Sequence, residues 1–233
     1  MKIGILCAGD REVVPFVPMI EDVRVSEKAM LKVYEGTIEG VQVAALFSGV
    51  CRVNAAIAAQ ILIDVYHCDA VINAGTAGGM DLSVGLLDVV VGVEAAYHDV
   101  EVDVLAEFRP LEARRFFRAD ESLLALARKA ALQSDHPVHF GRMVTGEKFI
   151  EDDGRDAINA AFAPLSVDME TAAVAHVCCV NEVPFIAVRS ITDTADHSGD
   201  GAFRENLDRA SRISAEFVRR MVKSVGSEAN GRS

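Results

Sequence analysis

Four short segments of the sequence carry acidic, glycine or hydroxyl residues, each directly after a stretch with β-strand character. They are residues 9–12 (Gly-Asp-Arg-Glu), 75–79 (Gly-Thr-Ala-Gly-Gly), 168–170 (Asp-Met-Glu) and 192–196 (Thr-Asp-Thr-Ala-Asp). In open α/β sheets, ligands bind at the carboxyl ends of the strands. These segments are therefore the expected walls of a site, although each acid taken alone also suits a helix cap or the positive end of a helix dipole.

The residue types in these segments favour acid and base chemistry on a ligand that is not an anion. The glycines of residues 75–79 permit close backbone approach but match neither the dinucleotide-binding nor the P-loop pattern. Glu12, Glu170 and Asp193 have no cluster of Arg or Lys near them in the sequence, so they would repel a phosphate group. Three carboxylates around a glycine-lined pocket suit a neutral or cationic ligand, with one group acting as acid and another as base.

The elements that must position these residues alternate between short β-rich runs and longer helical stretches. This alternation is typical of an α/β fold in which helices cover a mixed sheet. The pattern predicts strands over residues 3–6, 31–36, 41–47, 70–74, 86–96, 140–144, 165–167 and 184–188, and helices over 11–20, 53–61, 123–130 and 203–221. We therefore predict a single α/β domain over residues 1–224 with a central mixed β-sheet, followed by a disordered tail over 225–233.

Composition narrows the class of protein and its expected partners. The chain has 233 residues, 51% of them hydrophobic, which is enough to bury a core, and its net charge of -12 would repel nucleic acid. The apolar runs are too short for a membrane helix. Five cysteines without CxxC spacing and six scattered histidines predict free thiols in a reducing cytoplasm and neither a metal site nor a cofactor. We expect a cytoplasmic protein that keeps its N-terminus.

Six segments occur in the order and spacing of one known family. They are residues 1–5 with Glu12, 73–79 (Asn-Ala-Gly-Thr-Ala-Gly-Gly), 97–99 (Tyr-His-Asp), 145–150 (Thr-Gly-Glu-Lys-Phe-Ile), 167–170 (Val-Asp-Met-Glu) and 189–193 (Arg-Ser-Ile-Thr-Asp). From residue 1 to about residue 222 the chain resembles the 5′-methylthioadenosine/S-adenosylhomocysteine nucleosidases of the purine and uridine nucleoside phosphorylase superfamily. The resemblance implies a nucleoside phosphorylase-like three-layer architecture and a homodimer whose site is finished by the partner subunit.

The resemblance also implies a reaction and two catalytic residues. The family cleaves the N-glycosidic bond of its nucleoside with water and without phosphate. Asp193 would be the general acid that protonates adenine N7, and Glu12 would position and deprotonate the water that attacks C1′ of the ribose. Because the ribose becomes oxocarbenium-like as the bond breaks, Glu12 and Glu170 would supply negative charge beside a developing cation.

The remaining site residues are implied to bind the substrate. Glu170 would hold the ribose hydroxyls, Met169 would pack beneath the sugar, and Phe203 would close over the thioether side. Phe149 would stack on adenine, and the Ile150 backbone would hydrogen-bond its edge. Thr76 and Arg189 would support the water and the acid. Asp168 and Thr192 complete the implied set of substrate-binding residues.

The sequence departs from the family pattern at several positions. Thr76 and Thr192 stand where serine is common, and a Cys-Arg pair at residues 51–52 replaces glycine and lysine. Residues 104–115, which in the family help to shape the 5′-thio pocket of a neighbouring subunit, are the least recognisable part. The reaction class is therefore better indicated than the preferred substrate.

Three alternatives remain open at the level of the sequence. A nucleoside phosphorylase of the same superfamily typically has an arginine two residues before the first glycine of the loop, where this chain has Asn73. A hydrolase for aminofutalosine or a related adenine nucleoside would use the same acid and base. A non-catalytic nucleoside-binding relative would be expected to lose Glu12 or Asp193, and both are present.

Overall fold

A computed structural model describes residues 1–101, 115–150, 154–194 and 200–230. Within them, the strands are β1 (Lys2–Cys7), β2 (Glu21–Lys28), β3 (Leu31–Ile38), β4 (Val41–Phe47), β5 (Ala70–Gly79), β6 (Val89–Tyr97), β7 (Phe117–Arg118), β8 (Val138–Thr145), β9 (Ser166–Asp168) and β10 (Phe185–Asp193). The helices are α1 (Asp10–Val13), α2 (Arg52–Asp64), α3 (Glu121–Ala131), α4 (Arg155–Phe162), α5 (Thr171–Val180) and α6 (Asp200–Asn230), with a 3₁₀ turn at Val17–Met19.

All of these strands belong to one mixed sheet, which closes on itself over half of its width. β5, β10, β6, β8 and β9 pair in a ring, and β1, β4, β3 and β2 extend from β5 in that order. β1 runs parallel to β4 and β5, and β5 runs parallel to β10. The carboxyl ends of β1, β5 and β10 therefore meet at one edge.

Helices cover both faces of the sheet and divide the core into two main clusters. One cluster joins the sheet to α1, α3 and α6 through side chains such as Val13, Leu123 and Phe217. The other joins it to α2 and α5 through side chains such as Leu62 and Ala172. This arrangement confirms the predicted single α/β domain with a central mixed sheet and three layers.

Most predicted elements are confirmed, and the differences have physical causes. β5 continues through residues 75–79, which were predicted as a loop, because this glycine-rich stretch pairs with β10 and β9. The helix predicted over residues 11–20 is wrong beyond α1, since Pro15 and Pro18 leave only a 3₁₀ turn there. β2 was not predicted because its side chains are mostly exposed and show no apolar alternation.

The predicted helix at residues 53–61 is confirmed as α2, but it buries a different face. Its small residues pack on the sheet, namely Ala55, Ala58, Ala59 and Leu62. Val53 is 70% exposed and Ile57 is 46% exposed. Val53 and Ile57 therefore form an exposed apolar surface on the single chain.

The last helix continues past the boundary predicted for the catalytic domain. α6 extends to Asn230, six residues into the segment 225–233 predicted as a disordered tail. Val225 packs against the first core cluster, and a Cβ at Gly226 would lie 3.2 Å from the carbonyl oxygen of Glu39. These contacts explain why the helix persists where the apolar period of the sequence stops; residues 231–233 lie outside the described part of the chain.

The long helix α6 is amphipathic and charged along its exposed side. In the described part of the chain, neither it nor any other helix combines the length and apolar character needed to span a bilayer.

Candidate active site

Residues of all four segments, as far as the structure describes them, line one cavity at the edge where β1, β5 and β10 end. The cavity has a volume of about 270 Å³. Nine of the residues predicted for the site line it: Glu12, Thr76, Phe149, Asp168, Met169, Glu170, Thr192, Asp193 and Phe203. Of the other two predicted residues, Arg189 is fully buried behind the cavity, and the Ile150 side chain packs against a small third core cluster.

Glu12 is held by hydrogen bonds to both oxygens of its carboxylate. The backbone N–H groups of Ala8 and Gly9 donate to Oε2 at 2.8 and 2.9 Å. The backbone N–H and the hydroxyl of Thr76 both donate to Oε1 at 2.7 Å. A carboxylate that accepts this many hydrogen bonds is held in one orientation.

Gly75 makes the approach of Glu12 to β5 possible. Its φ of +151° lies in a region that side-chain-bearing residues rarely adopt. A Cβ at this position would lie 2.5 Å from Glu12 Oε1 and 2.8 Å from Arg189 Nη1. The first glycine of the segment is therefore required by packing between a carboxylate and a guanidinium.

Arg189 and Asp168 form the buried ionic centre beneath the cavity. Arg189 Nε lies 3.0 Å from Asp168 Oδ2, and Arg189 Nη2 donates to Asn73 Oδ1 at 2.7 Å and to Thr171 Oγ1 at 2.9 Å. Asp168 Oδ1 accepts from the Thr145 hydroxyl at 2.6 Å. Both carboxylate oxygens of Asp168 thus accept hydrogen bonds from groups of the protein. Its contribution to the site is mainly to hold Arg189 in place.

Glu170 projects into the cavity from the position just before α5. Its Oε1 accepts from the backbone N–H of Cys51 at 2.9 Å, and its Oε2 lies 4.0 Å from Arg189 Nη2. Burial and the neighbouring Asp168 carboxylate raise the pKa of Glu170, and Arg189 opposes that rise. Protonation and orientation of this carboxyl group are therefore sensitive to what binds beside it.

The Cys51 donor has an unusual backbone conformation. Its φ of +83° and ψ of 162° fall in a region that is almost exclusive to glycine. Such a conformation costs about 1–3 kcal/mol and persists only where the surroundings impose it. The Cys-Arg pair at residues 51–52, where the family has glycine and lysine, therefore places a side chain at a backbone position that favours glycine. The sequence alone did not reveal this conformation.

Asp193 is the last residue of β10 and lines the same cavity as Glu12. Burial raises the pKa of its carboxyl group, while a hydrogen bond from the Thr192 hydroxyl to Oδ1 at 2.7 Å lowers it, as does the charge of Arg155. A Cβ at Gly78 would lie 3.0 Å from Asp193 Oδ2, so this glycine keeps the second oxygen accessible. Asp193 can therefore carry and release a proton.

Two aromatic rings complete the described wall of the cavity. Phe149 and Phe203 meet edge to face, with ring centroids 6.1 Å apart and an angle of 74°. The sequence did not single out Val50 and Leu207, which also line the cavity. Their apolar types carry no chemical signal, and only their place in the fold identifies them.

Two segments connected with the site in the sequence lie outside the described residues. They are residues 195–199, with Asp196, and residues 104–114 of the segment 104–115 that in the family helps to shape the 5′ pocket of a neighbouring subunit.

Comparison with known proteins gives the same family by sequence and by structure. A sequence model of the phosphorylase superfamily matches residues 2–223. The 5′-methylthioadenosine/S-adenosylhomocysteine nucleosidase of Actinobacillus succinogenes is 37% identical over 226 residues, which cover 95% of this chain and 98% of the relative. The chain spans nearly the whole length of that relative.

Solved structures agree closely with the fold. The crystal structure of the 5′-methylthioadenosine/S-adenosylhomocysteine nucleosidase from Neisseria meningitidis in complex with methylthio-immucillin-A has 32% identity and a TM-score of 0.89, covering 96% of this chain and 99% of that chain. The native structure of futalosine hydrolase of Helicobacter pylori strain 26695 has 26% identity and a TM-score of 0.88, covering 96% and 98%.

Fold and site together define a member of the phosphorylase superfamily. Within that superfamily, the chain belongs to the 5′-methylthioadenosine/S-adenosylhomocysteine nucleosidase family.

The ionic centre leads to a prediction about stability. Arg189→Met should lower the free energy of unfolding by about 3–5 kcal/mol, because Asp168 would remain buried without its cation. Urea denaturation at a fixed protein concentration measures this change.

Arg219→Met is the matched control, since Arg219 also pairs with two carboxylates, Glu39 and Glu216, but on the surface. It should cost less than about 1 kcal/mol. Adding Asp168→Asn to Arg189→Met should recover part of the loss. If Arg189→Met were as stable as the Arg219→Met control, Arg189 would not be the cation that compensates the buried Asp168.

Proposed function

We propose that this protein hydrolyses the N-glycosidic bond of 5′-methylthioadenosine and S-adenosylhomocysteine, releasing adenine and the thioribose sugar, with water as nucleophile and no phosphate. One observation carries the proposal. A single cavity holds a rigid carboxylate, Glu12, on one wall and a carboxyl group with raised pKa, Asp193, on another.

In the proposed reaction, Asp193 acts on the leaving group. Its proton passes to adenine N7 as the bond between C1′ and N9 breaks, and the bonding electrons leave with the base. Adenine then departs as a neutral molecule. Burial supports this role, because it raises the pKa of Asp193 and so retains the proton closer to neutral pH.

Glu12 acts on the nucleophile in the same scheme. The water oxygen attacks C1′ while its proton passes to Glu12, which four hydrogen bonds hold in place. Arg189 Nη1 has no hydrogen-bond partner among the described residues and lies near Glu12 across Gly75. A donor left free there supports the view that Arg189 and Thr76 help to hold the water.

The other predicted residues are assigned to binding. We assign Glu170 to the ribose hydroxyls and Met169 to the underside of the sugar. Phe149 is assigned to stacking on adenine and Phe203 to the thioether side, which the edge-to-face packing of the two rings supports. The Ile150 backbone, next in the chain, is assigned to the edge of the base.

Charge disfavours phosphorolysis in this cavity. Asn73, at the position of the expected phosphorylase arginine, is buried and bonded to Arg189, Thr171 and the carbonyl oxygen of Leu6. Arg11, which lines the cavity, pairs with Asp208 at 2.7 Å. Both side chains are thus committed elsewhere, which supports water over phosphate.

A second candidate activity is hydrolysis of aminofutalosine or a related adenine nucleoside. The similarity to the Helicobacter pylori futalosine hydrolase favours it specifically. The same acid and base would serve, and the difference would lie in the 5′ pocket, to which residues 104–115 of a neighbouring subunit are expected to contribute. A non-catalytic nucleoside-binding role is less well supported, because Glu12 and Asp193 are both present and face one cavity.

We further propose that the protein is a cytoplasmic homodimer. The exposed face of α2 offers Val53 and Ile57 as an apolar contact surface, and Val50, which lines the cavity, is itself 50% exposed. An interface on this face would bring the partner subunit beside the open side of the site. Cysteines in the free thiol form support a reducing compartment.

The first functional prediction separates water from phosphate. Purified protein should release adenine from methylthioadenosine at the same rate in phosphate buffer and in a phosphate-free buffer of equal ionic strength, with a reducing-end sugar as product. Chromatography of base and sugar products measures this. Parallel reactions with S-adenosylhomocysteine, aminofutalosine and inosine rank the substrates. Formation of ribose 1-phosphate, or a strict need for phosphate, would refute hydrolysis.

The second prediction separates the carboxyl roles. Asp193→Asn keeps the shape but has no proton to release, so the chemical step should fall about 100- to 10,000-fold. Glu12→Gln should lower turnover while sparing adenine binding. Glu170→Gln should weaken binding and rate together, because the ribose hydroxyls are held before and during reaction. Single-turnover kinetics and adenine titration measure these effects.

Asp135→Asn serves as control for the acid, since Asp135 is a surface aspartate paired with Arg220. It should keep wild-type turnover. An Asp193→Asn enzyme that retained more than about a tenth of wild-type turnover would rule out general acid catalysis by this residue.

The third prediction concerns assembly. Light scattering should give about twice the 25.0 kDa mass of one chain. Ile57→Glu should shift the protein to the monomer and lower activity, because a charge would be buried in the interface. Leu132→Glu, at an 88% exposed position after α3, should change neither mass nor activity. An active monomer at assay concentration would refute the dimer.

A further inference from the structure

Arg52, the first residue of α2, forms ion pairs with two carboxylates that follow the ends of β6 and β8. Its Nε lies 2.6 Å from Glu147 Oε1, and its Nη1 lies 2.8 Å from Asp99 Oδ1. The backbone N–H of Glu147 donates to Asp99 Oδ2 at 3.1 Å, which closes the group. Asp99 follows β6 and Glu147 follows β8, and these two strands are parallel neighbours.

The residue before Arg52 is the donor to Glu170. Cys51 holds its N–H 2.9 Å from Glu170 Oε1 while its backbone has the φ of +83° that glycine normally supplies. The surroundings must impose this conformation. Glu147 Oε1 also accepts from the backbone N–H of Arg52 at 3.2 Å, so one carboxylate holds both the backbone and the side chain next to Cys51.

We propose that Arg52, Asp99 and Glu147, here called the Arg52 clamp, are positioning residues for Glu170. The clamp keeps the Cys51 N–H directed at Glu170 and thereby sets recognition of the ribose hydroxyls. The inference rests on the proposed role of Glu170. None of the three clamp residues lines the cavity, so the clamp acts through the Cys51 backbone.

The electrostatics of the site explain why Glu170 needs a second anchor. Its Oε2 already lies 4.0 Å from the buried Arg189 guanidinium. Without the Cys51 hydrogen bond, the attraction of that guanidinium would rotate the carboxylate toward Arg189 and away from the sugar. The clamp opposes this pull by holding the Cys51 N–H at Glu170 Oε1.

The test compares methylthioadenosine with its 2′-deoxy counterpart in the full-length enzyme. Arg52→Met should lower kcat/KM for methylthioadenosine about tenfold, mainly through KM, and should change the 2′-deoxy substrate less than about twofold. In a Glu170→Gln background, Arg52→Met should have no further effect on this ratio. Arg219→Met, which removes a surface arginine with two carboxylate partners, should leave the ratio unchanged.

A rescue variant separates positioning from general loss of structure. Cys51→Gly in the Arg52→Met enzyme should recover part of the lost kcat/KM, because glycine adopts the required conformation without strain. Sedimentation at assay concentration must show the same assembly state for all variants. If Arg52→Met lowered kcat/KM equally for both substrates, or only because the subunits dissociated, the proposed role of the clamp would be overturned.

Failure of this inference is distinguishable from failure of the proposed function. If wild-type enzyme cleaves methylthioadenosine and Glu170→Gln lowers its preference for the 2′-hydroxyl, but Arg52→Met does not, only the clamp is overturned. If Glu170→Gln leaves that preference unchanged, the assigned role of Glu170 fails and the clamp falls with it.

Discussion

The guanidinium of Arg189, a residue in the middle of β10, lies fully buried, in contact with Asp168 and 4.0 Å from Glu170. A buried charge is tolerated only where partners replace its hydration, so this position requires an ordered set of acceptors. Asp168, Asn73 and Thr171 supply them. Much of the polar character of the segments at this edge of the sheet is therefore devoted to holding one cation, and the ligand-facing carboxylates are arranged around it.

Two backbone positions set how the carboxylates are placed around that cation. At Gly75, the absence of a side chain lets Glu12 and Arg189 meet beside β5. At Cys51, a conformation typical of glycine directs an N–H at Glu170 even though a side chain is present. The first constraint is met by residue choice, whereas the second depends on tertiary contacts, which makes Cys51 the more vulnerable of the two to distant substitutions.

The sequence predicted the location of the site better than its internal organisation. Convergence of the segments that follow or end β1, β5 and β10 was predictable, because these parallel strands bring their carboxyl ends to the same edge. The commitment of Asp168 to Arg189 was not, since a partner 21 residues away leaves no local pattern. Strand β2 escaped prediction because its exposed side chains lack apolar alternation, and the buried face of α2 escaped because alanines carry it. Features that follow from residue spacing along the chain could be predicted from the sequence. Features that depend on tertiary packing could not.

The same charges decide between the reactions open to this fold. In the proposed reaction the departing base leaves positive charge on the ribose, which the Glu12 carboxylate stabilises, while Glu170, whose pKa is raised, holds the sugar. An incoming phosphate would meet those same carboxylates, while the nearest buried cation is already engaged by Asp168 and Asn73. Replacing the amide of Asn73 by a cation would place a second buried positive charge beside Arg189, at a cost that only a bound anion could offset. In this scheme, selection of water over phosphate depends on Asn73. This residue accepts a hydrogen bond from Arg189 and does not line the cavity itself.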